Sequence, residues 1–265
     1  MAARDETWTG PGASAEVVEA RRTSFGGGAE EYDAVRPPWP GPTVAWLLGD
    51  PATPVQVLDL GAGTGLGTRT VAGLGHQVLA VDPSPGMLAA LRAGLAALPA
   101  EAASRVSVHE GPAEELPGRD ASVDAVVSFQ AWHWFDPERA AAECGRVLRP
   151  GGTLGLAWHT WDPTVPWVRE LEGITGRSEA SGDPDVPELA SDGFGPAEHR
   201  RWAFEHVLGL NDLVRLADSW SFVRVRPDRD DVLAAVRALG VRVADAHGQV
   251  AFPHTTAGYR FRRRR

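Results

Sequence analysis

Between residues 55 and 160 short apolar runs alternate with stretches of helical spacing, the pattern of a parallel sheet assembled from βαβ units. Val55-Gln56-Val57-Leu58-Asp59-Leu60 reads as a buried strand that runs into a glycine turn. A helix is predicted from about Gly65 to Leu74, and a second strand over 76–82. Ser84 and Pro85 are entry signals for a helix over 85–98. Residues 105–109 and 124–129 supply the third and fourth strands. Asp136-Pro137-Glu138 opens a helix over 136–148, Arg149-Pro150-Gly151-Gly152 closes it, and Thr153 to His159 is the fifth strand. This pattern predicts an α/β fold with a doubly wound sheet.

The flanks are less regular. Residues 1–54 read as an N-terminal helical flank or lid, with helices near 13–22 and 42–49 around the loop Phe25-Gly26-Gly27-Gly28. The core is expected over 55–160, and 161–265 completes the sheet with a cap insertion around 163–200. Within that part, 176–196 is rich in Gly, Pro, Ser, Asp and Glu and reads as a surface loop. Arg201 to Leu208 looks like a strand, Asn211–Trp220 and Arg229–Leu239 like helices, and Val250 to Phe261 like a last strand.

Composition narrows the function. An apolar fraction of 43% with 23% charged residues is that of a globular protein. A net charge of −9 argues against a nucleic-acid partner, because a phosphate backbone demands a positive surface. All 26 basic residues are arginine, which excludes Schiff-base and phosphate-loop lysine chemistry. The tail Arg260-Phe261-Arg262-Arg263-Arg264-Arg265 is expected to fray into solvent. A single cysteine, Cys144, forms no intramolecular disulfide and fits a cytoplasmic setting. Residues 1–24 lack the apolar segment of a signal peptide, and no run approaches the ~18 apolar residues of a membrane span.

Candidate chemistry centres on Asp59-Leu60-Gly61-Ala62-Gly63-Thr64-Gly65. A strand that enters closely spaced glycines and then a helix puts bare backbone and open N–H groups against a ligand. The Gly-x-Gly-x-x-Gly spacing of dinucleotide folds fails in every frame, since the last position falls on Leu66, Thr68 or Thr70. Two acids end strands beside the turn: Asp59 before the first glycine, and Asp82 at the end of the second strand, where a carboxylate can accept ribose hydroxyls. Alternatively, Asp82 caps the helix that follows and Asp59 braces the turn.

Val57-Leu58-Asp59-Leu60-Gly61-Ala62-Gly63-Thr64-Gly65, Val81-Asp82-Pro83-Ser84-Pro85-Gly86-Met87-Leu88 and Leu148-Arg149-Pro150-Gly151-Gly152 resemble the class I S-adenosylmethionine-dependent methyltransferases. Phe25, Tyr32, Arg36-Pro37 and Gln130-Ala131-Trp132-His133-Trp134-Phe135-Asp136 resemble a bacterial branch related to trans-aconitate-type methyltransferases. The resemblance implies a Rossmann-like seven-stranded sheet with one antiparallel strand, and S-adenosylmethionine as cofactor. It also implies that Gly61, Ala62 and Gly63, with Thr64, line the methionine moiety, that Asp82 holds the ribose, and that Pro83 and Met87 pack the adenine. By the same resemblance Ala113 and Glu114 lie at the adenine edge, although Pro112 stands where many relatives have Asp. Gln130 and Ala131 face the methionine end, and Tyr32 and Arg36 close over it.

Trp132, His133, Trp134 and Phe135 follow the fourth strand, and Trp158, His159 and Trp161 fall at the end of the fifth. Aromatic faces there can attract a sulfonium cation by ~1 kcal/mol when desolvated, and can hold a planar or apolar acceptor. Alternatively these tryptophans anchor the flanks to the sheet. Phe25, Trp132, Trp134, Trp158 and Trp161 are the expected substrate pocket. Methyl transfer to a hydroxyl or protonated nitrogen needs a base, for which His133 is the first candidate and His159 the second. Asp136 and Asp162 lack the ligand spacing of a metal site, so no metal is expected. The expected enzyme methylates O, N or C of a small metabolite or carboxylic acid, as a monomer or homodimer without a nucleic-acid or membrane partner. Two other readings keep the cofactor: cyclisation or cleavage of the sulfonium, and binding without turnover.

Overall fold

The computed structural model describes residues 33–176, 189 and 193–265. Phe25, Tyr32, the helix expected over 13–22 and most of the loop expected over 176–196 lie outside these residues.

The first part of the chain gives α1 (Gly41–Leu47), β1 (Gln56–Leu60), α2 (Leu66–Gly73), β2 (Gln77–Asp82), α3 (Pro85–Leu95), α4 (Ala100–Ala103) and β3 (Val106–Glu110). Then follow β4 (Val123–Phe129), a short 3-10 turn at Trp132–Trp134, α5 (Pro137–Val147) and β5 (Leu148–Trp161). The remainder gives α6 (Pro166–Thr175), β6 (Glu198–Gly209), α7 (Leu210–Asp218), α8 (Ser221–Arg224), α9 (Arg229–Val243) and β7 (Gln249–Arg262).

Among the described residues the sheet has seven strands in the order β3-β2-β1-β4-β5-β7-β6. The first five are parallel: Val57 of β1 lies beside Val78 of β2 and Ala125 of β4, and Val127 of β4 beside Gly155 of β5. β7 runs the other way, since Asp162 N–H bonds Pro253 O and Arg263 N–H bonds Gly152 O. The strand order reverses between β1 and β4, and an open α/β sheet takes its ligand at such a point, outside the carboxyl ends of the strands.

Parallel strands covered on both faces need apolar side chains on both, and β1 and β4 show it: Leu58, Leu60, Ala125, Val126 and Val127 are buried. The chain divides into two compact units. One contains Pro38–His159 and Thr256–Arg265 with residues near 193–202, and its interior joins Leu58, Val126, Leu154 and Leu156 to Trp132, Trp158 and Tyr259. The other contains described residues 33–37, 160–176 and Ala203–Thr255. Its interior joins Val35, Trp161, Leu171, Leu213, Leu216, Val236 and Phe252.

Three local features depart from the sequence expectation. The helix expected to reach residue 98 ends at Leu95, and Ala96, Ala97 and Leu98 continue as tighter turns bonded to Ala93, Gly94 and Leu95 before Pro99. α6 was not foreseen, although Pro166 stands at its first turn and Val168 and Leu171 share its buried face. The arginine tail does not fray. Arg260 lies 4.5 Å over the Trp46 ring, donates to Trp46 O and Asp50 Oδ2 through Nη1 at 2.9 and 3.1 Å, and reaches Glu198 Oε2 at 2.6 Å. Arg262 donates to Thr153 Oγ1 at 3.0 Å, and Arg263 to Leu148 O. Charge density alone suggested a solvated end; pairing with carboxylates, carbonyls and an indole face ties it into the sheet.

Candidate functional site

The glycine turn is held from two sides. Gly61 and Ala62 donate their N–H groups to Val81 O at 2.8 and 3.0 Å, which fixes the turn against the end of β2. Gly61 has φ +70°, and a Cβ there would lie 2.5 Å from Ala131 Cβ and 2.9 Å from Phe135 Cζ. The turn after β4 therefore packs onto bare backbone. Gly63 also has a positive φ, +55°, but nothing lies within 4 Å of its Cβ position. One glycine makes room for protein, the other faces open space.

Asp82 joins this turn to the next helix. Its Oδ2 accepts from Gly63 N–H and its Oδ1 from Ser84 N–H, both at 2.9 Å, and it is only 9% exposed. Ser84 in turn caps α3 by accepting from Met87 N–H at 3.4 Å. The cap is Ser84; Asp82 holds the cap and the turn together. Met87 is buried and Pro83 exposed. Asp59 is fully enclosed, with Oδ2 accepting the Thr68 hydroxyl at 2.5 Å and Oδ1 without a hydrogen-bond partner among the described residues. Burial pushes its carboxyl up to about 7, the Asp82 charge adds to the rise, and the Thr68 bond opposes it. Thr64 is buried.

The end of β4 is shaped by Gln130, a non-glycine residue at φ +56°. Its N–H bonds Ala157 O and its Oε1 accepts from His159 N–H, both at 2.8 Å, so one residue ties β4 to β5. Backbone strain of this kind costs ~1 kcal/mol or more, and it persists only where surrounding contacts enforce it. Asp136 then caps α5 by accepting from Glu138 and Arg139 N–H, while its own N–H goes to Glu114 Oε1 at 2.9 Å. Glu114 is thereby joined to the aromatic turn, and Ala113 is buried in the same interior as Trp132.

The aromatic residues do not share one environment. Trp132 is buried and meets Phe135 edge-on, Trp134 is half-buried, and Trp158 is buried with its ring edge-on to Tyr259. His133 is exposed, and its Nδ1 accepts from Trp158 Nε1–H at 3.3 Å. His159 is buried, stacked on Trp39 at 3.8 Å between ring centroids, with Nδ1 2.9 Å from Thr256 Oγ1.

Two expected site residues belong to the other unit. Trp161 packs against Trp220 and Phe252 in that unit's interior. Arg36 donates through Nε and Nη2 to the Ser219 hydroxyl and carbonyl, both at 3.0 Å. Conversely, Thr68 and Trp39 take parts that residue spacing did not disclose. Thr68 stands nine positions after Asp59, and only the fold of α2 over β1 brings the two together. Among the described residues no cluster of three His, Cys, Asp or Glu side chains could hold a metal ion, and no helix is long and apolar enough to cross a membrane.

This geometry has counterparts in known proteins. An uncharacterized methyltransferase of Mycobacterium tuberculosis is 41% identical over 239 residues, which are 88% of this chain and 93% of the relative. The chain belongs to the S-adenosylmethionine-dependent methyltransferases. A family described as a methyltransferase domain matches residues 58–156, from the middle of β1 through most of β5. The malonyl-[acyl-carrier protein] O-methyltransferase of Methylococcus capsulatus is 38% identical over 217 residues, 77% of this chain and 74% of the relative. Among solved structures, a candidate type II methyltransferase of Anaeromyxobacter dehalogenans superposes with a TM-score of 0.61 at 25% identity, over 86% of this chain and 97% of that one. The methyltransferase has the seven-stranded, mostly parallel sheet with an antiparallel strand that the sequence resemblance implied.

The residues present fit S-adenosylmethionine. Gly63 leaves an open approach, the Asp82 carboxylate stands at the end of β2, and the unpartnered Asp59 Oδ1 is a buried acceptor in the turn.

Proposed function

We propose that this methyltransferase binds S-adenosylmethionine across the carboxyl ends of β1, β2 and β4 and methylates a small molecule, with carboxylic acids as the foremost acceptor class. The observation that carries the cofactor reading is the Gly63–Asp82–Ser84 clamp, which holds a carboxylate beside a glycine whose Cβ side is open. On this reading Asp82 takes the ribose hydroxyls, Gly61, Ala62, Gly63 and Thr64 line the methionine moiety, and Asp59 meets its polar end. Met87 and Pro83 flank the adenine, with Ala113 and Glu114 at its edge. Gln130 and Ala131 bound the methyl side. The acceptor class is supported by the Methylococcus capsulatus relative, a malonyl-[acyl-carrier protein] O-methyltransferase. A cytoplasmic setting belongs to the same reading, supported by a single cysteine, Cys144, that is buried.

The test is calorimetric titration with S-adenosylhomocysteine. Wild type binds, and Asp82→Ala stays folded with ~1–3 kcal/mol less stability from the lost Gly63 and Ser84 bonds, and binds at least ~10-fold more weakly, since hydrogen bonds to a charged group contribute ~1.5–3 kcal/mol. Equal affinities in the two proteins overturn the ribose assignment. Formation of methylthioadenosine in place of S-adenosylhomocysteine during turnover overturns the methyl-transfer reading.

A further inference from the structure

Which nitrogen of His133 carries the proton decides what this residue can do. The Nδ1 atom lies 3.3 Å from Nε1 of Trp158. An indole N–H can only donate, so Nδ1 must accept with its lone pair and is unprotonated. The proton of the neutral ring therefore sits on Nε2. A second proton on Nδ1 would set two N–H groups against each other and break the bond to Trp158. The Nδ1 lone pair is then committed to Trp158 and Nε2 carries the proton, so neither nitrogen is free to take a proton from an acceptor.

The placement gives that N–H a use. His133 is the middle residue of the turn Trp132–Trp134, two positions after Ala131, whose methyl packs against Gly61 at the glycine turn. The residue is exposed, and Nε2 has no hydrogen-bond partner among the described residues. Trp158 is buried and edge-on to Tyr259, so the group that fixes the tautomer is itself fixed by packing. His159 offers no substitute, because it is buried, stacked on Trp39 and engaged with Thr256.

We propose that Trp158 locks His133 in the Nε2–H tautomer, so that His133 meets the methyl acceptor as a hydrogen-bond donor and not as a base. Trp158 is a positioning residue that acts through His133. The proposal rests on the methyl-transfer reading of this site and sharpens its substrate class. An acceptor held by a donor, with neither His133 nor His159 serving as a base, is best one that presents a lone pair and sheds no proton. A carboxylate does both: its oxygen forms the O–CH3 bond as the C–S bond of S-adenosylmethionine breaks with the pair left on sulfur, the charges cancel, and no proton moves. An alcohol or an ammonium group must lose a proton and fails the second condition.

Two measurements test it on the full chain. In protein labelled with 15N-histidine and saturated with S-adenosylhomocysteine, His133 is expected as the Nε2–H tautomer throughout roughly pH 5.5 to 8. Trp158→Phe should yield a mixture of tautomers, a readout of the lost hydrogen bond to Nδ1 that loss of packing alone does not move. Separately, the enzyme is incubated with S-adenosylmethionine carrying a tritiated methyl group and with the acidic, neutral and basic fractions of a bacterial metabolite extract. Label should enter the acidic fraction and leave as methanol on mild alkaline treatment, as a methyl ester does. His133→Phe should lower that transfer by ~10- to 100-fold at unchanged S-adenosylhomocysteine affinity, the range for losing a hydrogen bond to a charged group. His133→Gln, which restores a side-chain N–H, should recover most of it. A proton on Nδ1, label in an alkali-stable linkage, or full transfer by His133→Phe overturns the proposal and leaves the cofactor reading standing. No label in any fraction by a protein that binds S-adenosylhomocysteine overturns the methyl-transfer reading, and the proposal with it.

Discussion

The glycine turn with Asp82 and the aromatic turn with Trp158 both stand at the carboxyl ends of the sheet strands, yet they are built on different principles. In the first, backbone does the work: N–H groups of Gly61, Ala62, Gly63 and Ser84 converge on Val81 O and the Asp82 carboxylate. In the second, side chains do: Trp158 sets the His133 proton, and Phe135 and Ala131 settle onto Gly61. Backbone geometry tolerates only residues that can adopt it, so its sequence is nearly dictated. Side-chain arrangements admit many residue sets, so theirs is not.

The largest expected effect falls where the two regions touch. Gly61→Ala sets a Cβ 2.5 Å from Ala131 Cβ at a positive φ, and should cost ~3 kcal/mol of stability together with cofactor binding, measured by urea unfolding and calorimetry. If Gly61→Ala unfolds like wild type, the aromatic turn is not seated on the glycine turn and the comparison breaks. Next is the loss of at least ~10-fold in S-adenosylhomocysteine affinity for Asp82→Ala. Gly63→Ala sharpens the contrast. Its φ of +55° is strained for alanine, but its Cβ meets nothing, so the stability loss should be only ~1 kcal/mol while cofactor affinity falls. A larger stability loss at Gly63 than at Gly61 reverses the roles given to the two glycines.

The smallest effect concerns Asp59 and has a definite sign with pH. Its folded pKa, about 7, stands above the ordinary value of 3.8, so the fold favours the protonated form. The stability this contributes is complete below pH ~4, and is lost as pH rises through about 7. Asp59→Asn should therefore gain on wild type between pH 5 and 8, by ~1 kcal/mol once the altered Thr68 bond is allowed for. A difference between the two midpoints that does not vary with pH removes Asp59 as a buried, proton-linked group.

Legibility followed the same divide. All five strands of the core and the helices over residues 66–73, 85–95 and 137–147 were readable, because burial on both faces of a parallel sheet imposes long apolar runs and because Ser84-Pro85 and Asp136-Pro137 mark helix entries. The Gly61–Gly65 turn was readable because positive φ demands glycine. Opposed to these stand Arg260, which charge alone placed in solvent, and Trp161, which proximity in sequence grouped with the other aromatics. Partners more than fifty positions away decide both: Trp46, Asp50 and Glu198 for the arginine, Trp220 and Phe252 for the tryptophan.

By itself the sequence determined the parallel core, the glycine turn and the acid that ends the neighbouring strand, since each rests on local conformational rules that act within a few residues. Only the tertiary structure decided that Asp82 spans Gly63 and Ser84, that Asp59 lies desolvated against Thr68, and that Trp158 Nε1–H reaches His133 Nδ1. Those states depend on burial and on hydrogen bonds between distant positions, and no spacing along the chain encodes them.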